Sequence, residues 1–279
     1  MPVAGSVLYL WGISILDMKI ISRGKFYKRS LLLYRKVRYR KGHGVHSPFA
    51  YNFITKVIDE RAAYYCENDI ELTRKKISYP DQSFFLPAEN GQGEQRISIH
   101  EIMKKIAIKP KNGALLLRMT NYFKPRNILQ VGEAVGFSTL YLSSYSSDVQ
   151  VLVLEEHAGR AALCRAVFEK HKANNIQLQE GPYYETLPVA LADREQVDFV
   201  YLDFLNSTEL NTYVIDQCLS HLHDQSVLVV SGIKTTKEKK EFWKHLCFRP
   251  EVSVTVDVYE FGIVFFNKKL HKRNYIVSF

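Results

Sequence analysis

Short apolar runs alternate with stretches of helical periodicity across the second half of the chain. Runs at 127–131, 149–155, 176–180, 197–203 and 226–230 have the length of strands. Between them, apolar residues recur every three to four positions, the spacing of a helix with one buried face. Leu210, Val214, Cys218 and Leu222 stack at intervals of four and predict a helix over 209–222. Helices are predicted likewise over 138–144, 158–172 and 235–246. The runs at 252–259 and 263–267 flank Glu260-Phe261-Gly262 and read as a hairpin. Strands that alternate with helices and close in a hairpin predict a mostly parallel sheet with antiparallel C-terminal strands.

Upstream the pattern changes. Phe53, Ile54, Val57 and Ile58 recur at helical spacing within 50–79, and helices are predicted over 97–107 and 112–123, the latter closed by Pro125. The segment 80–95 is rich in Asp, Ser, Pro, Asn and Gly and reads as a loop. These helices are expected to form a cap beside the sheet, with their apolar stripes serving as core. Residues 41–49 read Lys-Gly-His-Gly-Val-His-Ser-Pro-Phe, a loop by its two glycines and its proline. Two readings of His43 and His46 stand side by side. They bring imidazole to a substrate as base or binder, or they are loop histidines that satisfy backbone carbonyls.

The charge is uneven. Lys19, Arg23, Lys25, Lys28, Arg29, Arg35, Lys36, Arg38, Arg40 and Lys41 face a single acid, Asp17, in the first 41 residues, which accounts for the whole net charge of +9. An arm of this kind attracts nucleic acid or an anionic membrane through residues 19–41. Phe26, Tyr27, Tyr34 and Tyr39 offer rings for base stacking. The plainer reading is a solvated helix face docked through Leu31, Leu32, Leu33 and Val37. Residues 3–16 are apolar but broken by Gly5, Ser6, Gly12 and Ser14, too short to span a bilayer comfortably. They are expected to be a tail, or to precede a true start at Met18. A membrane anchor followed by ten bases would obey the positive-inside rule and is the alternative. Four widely spaced cysteines without a Cys-x-x-Cys pair point to reduced thiols in the cytoplasm. No His-Glu-x-x-His or zinc-ribbon spacing is present.

The chemistry concentrates at 127–156. The first apolar run stops at Gly132, a second glycine follows at Gly136, and Ser138 and Thr139 are placed to cap the next helix. The second run ends in Glu155 and Glu156. Strand, glycine turn, helix, strand and acid make up a half-Rossmann nucleotide site, in which the acid accepts the ribose hydroxyls. Gly-x-x-x-Gly lacks the third glycine of a pyrophosphate cradle. A short-chain dehydrogenase would need a lysine four residues after a tyrosine, and none of the 17 tyrosines has one. The pattern fits S-adenosylmethionine better than NAD. Three regions result: the apolar then basic arm 1–41, the helical cap region 42–124 with its Gly/His loop, and a Rossmann-like domain 125–279.

From about Arg40 onward the chain resembles a class I S-adenosylmethionine-dependent methyltransferase. It is similar to the catechol O-methyltransferase-like branch and to a group of its bacterial members found in Bacteroidetes. The resemblance is carried by residues 41–49, by Gln-Val-Gly-Glu-Ala-Val-Gly-Phe-Ser-Thr (130–139), by Leu-Glu-Glu (154–156), by Val-Asp-Phe-Val-Tyr-Leu-Asp (197–203) and by Val-Asp-Val-Tyr-Glu-Phe-Gly-Ile-Val-Phe-Phe (256–266). It implies an α/β fold, a Rossmann-like seven-stranded mostly parallel sheet with an antiparallel C-terminal hairpin. By the same resemblance Gly132 and Gly136 approach the methionine part, Ser138 binds its carboxylate, and Glu155 takes the ribose. Pro182 and Tyr183 lie near the adenine, and Asp203 stands beside the sulfonium and the acceptor. The family pattern has acids at the positions of Gln130, Ser231 and Gly232, and a Gly-Asn-His-like run at 204–206. In metal-dependent relatives the acid at the position of Ser231 helps hold magnesium. Here Asp203 and Asn206 remain and Lys234 stands close by, so no metal is expected. Without one, His43, His46 and Asp203 are the candidates to take a proton from a hydroxyl acceptor. The function implied is O-methylation of a small molecule. The alternatives are a catalytically degenerate binding protein, and an RNA- or membrane-associated methyltransferase recruited by the arm.

Overall fold

The computed structural model describes residues 30, 33–35, 45–78, 83–87, 93–132, 135–203 and 205–279. The apolar start, the alternative start at Met18, His43 and every base of the arm except Arg35 lie outside the described residues.

Ser47 caps the first described helix, α1 (Pro48–Phe53), by accepting from the Ala50 amide, and α1 runs on into a π-turn, Ile54–Ile58. Then come α2 (Tyr65–Ser78), β1 (Ser83–Pro87), β2 (Glu94–Ser98), α3 (Ile99–Lys105) and α4 (Pro110–Phe123). The sheet domain follows as β3 (Asn127–Val131), α5 (Phe137–Ser143), β4 (Gln150–Glu155), α6 (Ala158–His171), β5 (Ile176–Glu180) and α7 (Tyr183–Ala192). It ends with β6 (Phe199–Leu202), α8 (Thr208–Leu219), β7 (Val227–Ser231), α9 (Lys237–Phe248), β8 (Val254–Asp257), β9 (Phe261–Phe265) and β10 (Arg273–Ile276).

Strands β3 to β10 form one sheet in the order β10-β8-β9-β7-β6-β3-β4-β5, in which β9 runs against both of its neighbours and the other pairs are parallel. Alternate residues of each strand feed opposite faces, as the two-residue period of a strand requires. Ile128, Val151, Val153, Phe199, Tyr201, Val227 and Val229 pack against the helices that precede the sheet in the chain and against α5 and α6. Leu129, Val131, Leu152, Leu154, Val200, Leu202, Leu228 and Val230 pack against α7, α8 and α9. Both faces are covered, which is why the central strands read as near-continuous apolar runs.

Three elements go beyond the sequence reading or correct it. The segment expected as a loop over 80–95 contains β1, which pairs antiparallel with β2 from Ser83↔Ser98 to Pro87↔Glu94. This hairpin lies on the start of α6, where a Cβ on Gly159 would stand 2.0 Å from the Phe85 carbonyl oxygen. Helix α7 was not expected, because Gly181-Pro182 reads as a stop and Pro188 sits inside the helix. An eighth strand, β10, extends the expected seven; its sequence Arg-Asn-Tyr-Ile has no apolar run.

The arm has one described anchor. Arg35 Nη2 donates to the Asp257 carbonyl (2.6 Å), to Asp257 Oδ1 (2.9 Å) and to the Val277 carbonyl (3.1 Å). Lys234 Nζ holds the other carboxylate oxygen at 2.9 Å. The side chains of Arg35 and Asp257 are 7% and 6% exposed, so this pair is buried structure and not part of a solvated face. Leu33, expected to dock, is 64% exposed. Removing one member of a buried pair strands the other without water. Asp257→Ala is expected to cost about 3–5 kcal/mol in chemical unfolding. Arg35→Met leaves Lys234 on the carboxylate and should cost clearly less.

Candidate active site at the C-terminal edge of the sheet

Strand β3 ends at Val131 and the chain turns at Gly132, whose φ is +77°, a conformation that glycine adopts without a steric cost. The turn is pinned on both sides. The Gly132 amide donates to the Leu154 carbonyl at the tip of β4 (2.9 Å), and the Asp203 amide beyond β6 donates to the Val131 carbonyl (3.0 Å). There is no room for a side chain: a Cβ at Gly132 would stand 2.8 Å from Leu205 Cδ2 and 2.9 Å from the Asp203 carbonyl oxygen. Gly136, at φ +91°, is the N-cap of α5. A Cβ there would press on Phe168 and Val167 of α6 at 3.1–3.3 Å.

The capping expected of Ser138 and Thr139 is corrected by this geometry. Both sit buried in the first turn of α5 and face Gln130. Gln130 is fully buried; its Nε2 lies 3.3 Å from the Gly132 carbonyl and 3.4 Å from Ser138 Oγ, and its Oε1 accepts from Thr139 Oγ1 at 3.0 Å. An amide can donate to a carbonyl and accept from a hydroxyl at once, whereas an ionised carboxylate only accepts. Gln130 therefore braces the turn in a way that an ionised acid at this position would not.

Glu155 closes β4 one residue after the pin at Leu154, 1% exposed, while Glu156 turns outward. Its Oε1 accepts from the His157 amide at 2.8 Å and lies 3.9 Å from Arg160 Nη1. The Glu155 carbonyl accepts from the Gly181 amide at 3.1 Å, which draws Gly181-Pro182-Tyr183 alongside. Pro182 stays at the exposed rim, and Tyr183 is 3% exposed. Burial, and then the charge of Glu155, push the Tyr183 phenol above its ordinary range, so it stays a neutral hydroxyl.

Asp203 stands past the tip of β6, and Ser231 Oγ, at the end of β7, donates to Asp203 Oδ1. Beside them is a residue that the sequence reading passed over. Lys239 Nζ lies 3.6 Å from where a Cβ on Gly232 would be. Burial pushes its ammonium below the usual lysine value and Asp203 pulls it back up. A signal was present within the Lys/Glu run. Lys239, Phe242, Trp243 and Leu246 share one helix face, and the last three are buried. Lys234, named from the sequence as the nearby cation, belongs to Asp257 instead.

Magnesium does not fit this donor set. It wants oxygen ligands, usually carboxylates. Among the described residues a hydroxyl, that of Ser231, and the Lys239 ammonium act on Asp203, and Asn206 is exposed. Among the described residues no three His, Cys, Asp or Glu are placed to share a metal ion.

Gly132, Gly136, Ser138, Glu155, Pro182, Tyr183 and Asp203 thus gather along the C-terminal edge of β3, β4, β5 and β6. His46 does not join them. It is exposed and lines a pocket of about 400 Å³ with Lys269, His271, Arg273 and Tyr275. Arg273 is level with Val254 at the start of β8, so this pocket flanks the opposite edge of the sheet. No described helix is long and apolar enough to cross a membrane.

No protein-family model matches the chain, and no curated protein matches it by sequence. Solved structures do. The O-methyltransferase of Bacillus cereus in complex with S-adenosylhomocysteine is 16% identical with a TM-score of 0.51, covering 76% of this chain and 94% of that one. A methyltransferase of Podospora anserina bound to S-adenosylhomocysteine is 14% identical with a TM-score of 0.54, covering 80% and 96%. An O-methyltransferase of Streptomyces achromogenes, involved in tomaymycin synthesis and solved with S-adenosylmethionine, is 17% identical with a TM-score of 0.50, covering 74% and 91%. At such identities the likeness is one of fold: this chain has the Rossmann-like fold of these methyltransferases.

Proposed function

We propose that the chain is a cytoplasmic S-adenosylmethionine-dependent methyltransferase that acts on an oxygen of a small-molecule acceptor. In this reading it is kin to the catechol O-methyltransferase-like branch and to the Bacteroidetes members that its 41–49 and 256–266 motifs resemble. The observation that carries the proposal is the bond from the Gly132 amide to the Leu154 carbonyl, which sets a glycine turn with no side chain beside a buried acid.

S-adenosylmethionine supplies an already activated methyl group, so the protein's task is to bind and align. Gly132 and Gly136 let the backbone come close to the methionine part. Ser138 offers that carboxylate the backbone amide at the start of α5, since its hydroxyl faces Gln130. Glu155 accepts the ribose hydroxyls, with Arg160 and the His157 amide fixing its carboxylate. Tyr183 and Pro182 border the adenine. Asp203 stands on the acceptor side.

The reading as a degenerate binding scaffold loses one motive at Gln130, whose amide completes the turn. Recruitment to RNA or to an anionic surface finds no support in Arg35, the one described base of the arm, which is bound inside.

Calorimetric titration with S-adenosylhomocysteine is expected to give one site per chain. Glu155→Gln keeps an acceptor for the His157 amide but loses the charge, and should weaken binding about tenfold or more. Gly132→Ala would drive its methyl into the Asp203 backbone, and should lower both the melting temperature and the affinity. Absence of binding by the unaltered protein would overturn the proposal.

A further inference from the structure

The cluster beyond β6 and β7 has a chemistry unlike that of a metal-dependent relative. It borders the methionine end of the site, because the Asp203 carbonyl oxygen lies 2.9 Å from where a Cβ on Gly132 would fall. The ammonium is held there by a rigid carrier. Thr236 caps α9 by accepting from the Lys239 amide at 3.3 Å, and Phe242, Trp243 and Leu246 bury the same face in the core. Side chains on a helix lean toward its N-terminus, so Lys239 reaches back over the 231–236 loop toward Asp203. A cation in the first turn of a helix is opposed by the helix dipole. The Asp203 carboxylate offsets that cost. Gly232, at φ +63°, puts no side chain between the ammonium and the sheet edge.

We infer that the Lys239 ammonium takes the place of a divalent cation beside Asp203, and that it meets the acceptor oxygen during methyl transfer. The inference rests on the methyltransferase reading above. Charge balance supports it. One carboxylate with one ammonium sums to zero, as do two carboxylates with a divalent ion, and this chain has Ser231 where the second carboxylate would be. The hydroxyl of Ser231 fixes one oxygen of Asp203. The acceptor hydroxyl passes its proton to the Asp203 carboxylate. Its oxygen bonds to the methyl carbon as the carbon–sulfur bond breaks, and that electron pair stays on sulfur. As Asp203 becomes neutral, the ammonium faces the oxygen that is losing its proton.

The test uses the full chain in three forms: unaltered, Lys239→Ala, and the double variant Lys239→Ala with Ser231→Asp. Calorimetry with S-adenosylhomocysteine reports whether each retains the cosubstrate site. Titration with Mn2+, followed by electron paramagnetic resonance, is expected to show no tight uptake by the unaltered protein. The double variant should bind Mn2+ at least about tenfold more tightly, with a second carboxylate in place of the ammonium. With S-adenosylhomocysteine bound, the unaltered protein should take the 4-nitrocatechol anion, read by its visible spectrum, about tenfold more tightly than Lys239→Ala. Tight Mn2+ uptake by the unaltered protein would overturn the inference. So would a double variant that binds S-adenosylhomocysteine but gains no Mn2+, or a Lys239→Ala variant that binds the anion as well as the unaltered protein. If no form binds S-adenosylhomocysteine, it is the methyltransferase reading that fails.

Discussion

The hydrogen bond from the Gly132 amide to the Leu154 carbonyl fixes the end of β3 against the tip of β4, and the rest of the site is built outward from it. Glu155 follows Leu154 directly, so its carboxylate is set by the same bond. On the far side the Asp203 amide bonds to Val131, which brings the end of β6 against the turn. Three strand tips therefore meet at one glycine. A side chain there would have to displace Leu205 or the backbone of Asp203. Gln130 supports the turn from below with a donor to one carbonyl and an acceptor for one hydroxyl. Buried polar groups of this kind are costly unless each is satisfied, and that cost holds the turn to a single arrangement.

Three buried or half-buried acids of this edge each stand near a cation. Asp257 has Arg35 and Lys234, Asp203 has Lys239, and Glu155 has Arg160 across 3.9 Å. The contact at Glu155 is longer than those at Asp257, and this carboxylate also takes a backbone amide. That suits a carboxylate whose proposed partner is a pair of ribose hydroxyls. At Asp257 two cations share one carboxylate and join the arm to β8.

The sequence was most legible where a local rule dictates the structure. The turn glycines 132 and 136 and the acid at 155 follow from glycine conformation and strand length, and they stand at the strand and helix ends where the pattern put them. The alternating strands were legible because both sheet faces are buried, which writes apolar residues at every position. Elements that depend on distant partners were not. Strand β10 is polar and forms only because β8 offers its edge. Strand β1 falls in a stretch of loop-like composition and is held by β2 and by the close approach of Phe85 to Gly159. Helix α7 has prolines at its cap and in its interior, and is kept by the burial of Tyr183, Leu187 and Leu191. His46 looked suited to the site by composition. Its position is set by the β10 end of the sheet, which no local pattern encodes.

The two lysines after β7 show how geometry divides residues that composition treats alike. Lys234 and Lys239 stand five positions apart, and the sequence pointed to the nearer one as the charge beside Asp203. Lys234 lies in the loop, where its side chain leaves the edge toward β8 and pairs with Asp257 at 2.9 Å. Lys239 lies in the first turn of α9, and the lean of helical side chains carries its ammonium back over the loop toward Asp203. Its distance along the chain is greater, but the helix folds that distance away. An ammonium placed against the helix dipole and partly out of water is unfavourable unless a carboxylate answers it. The arrangement therefore couples the first turn of α9 to the tip of β6, and makes the lysine part of the edge where an acceptor would lie.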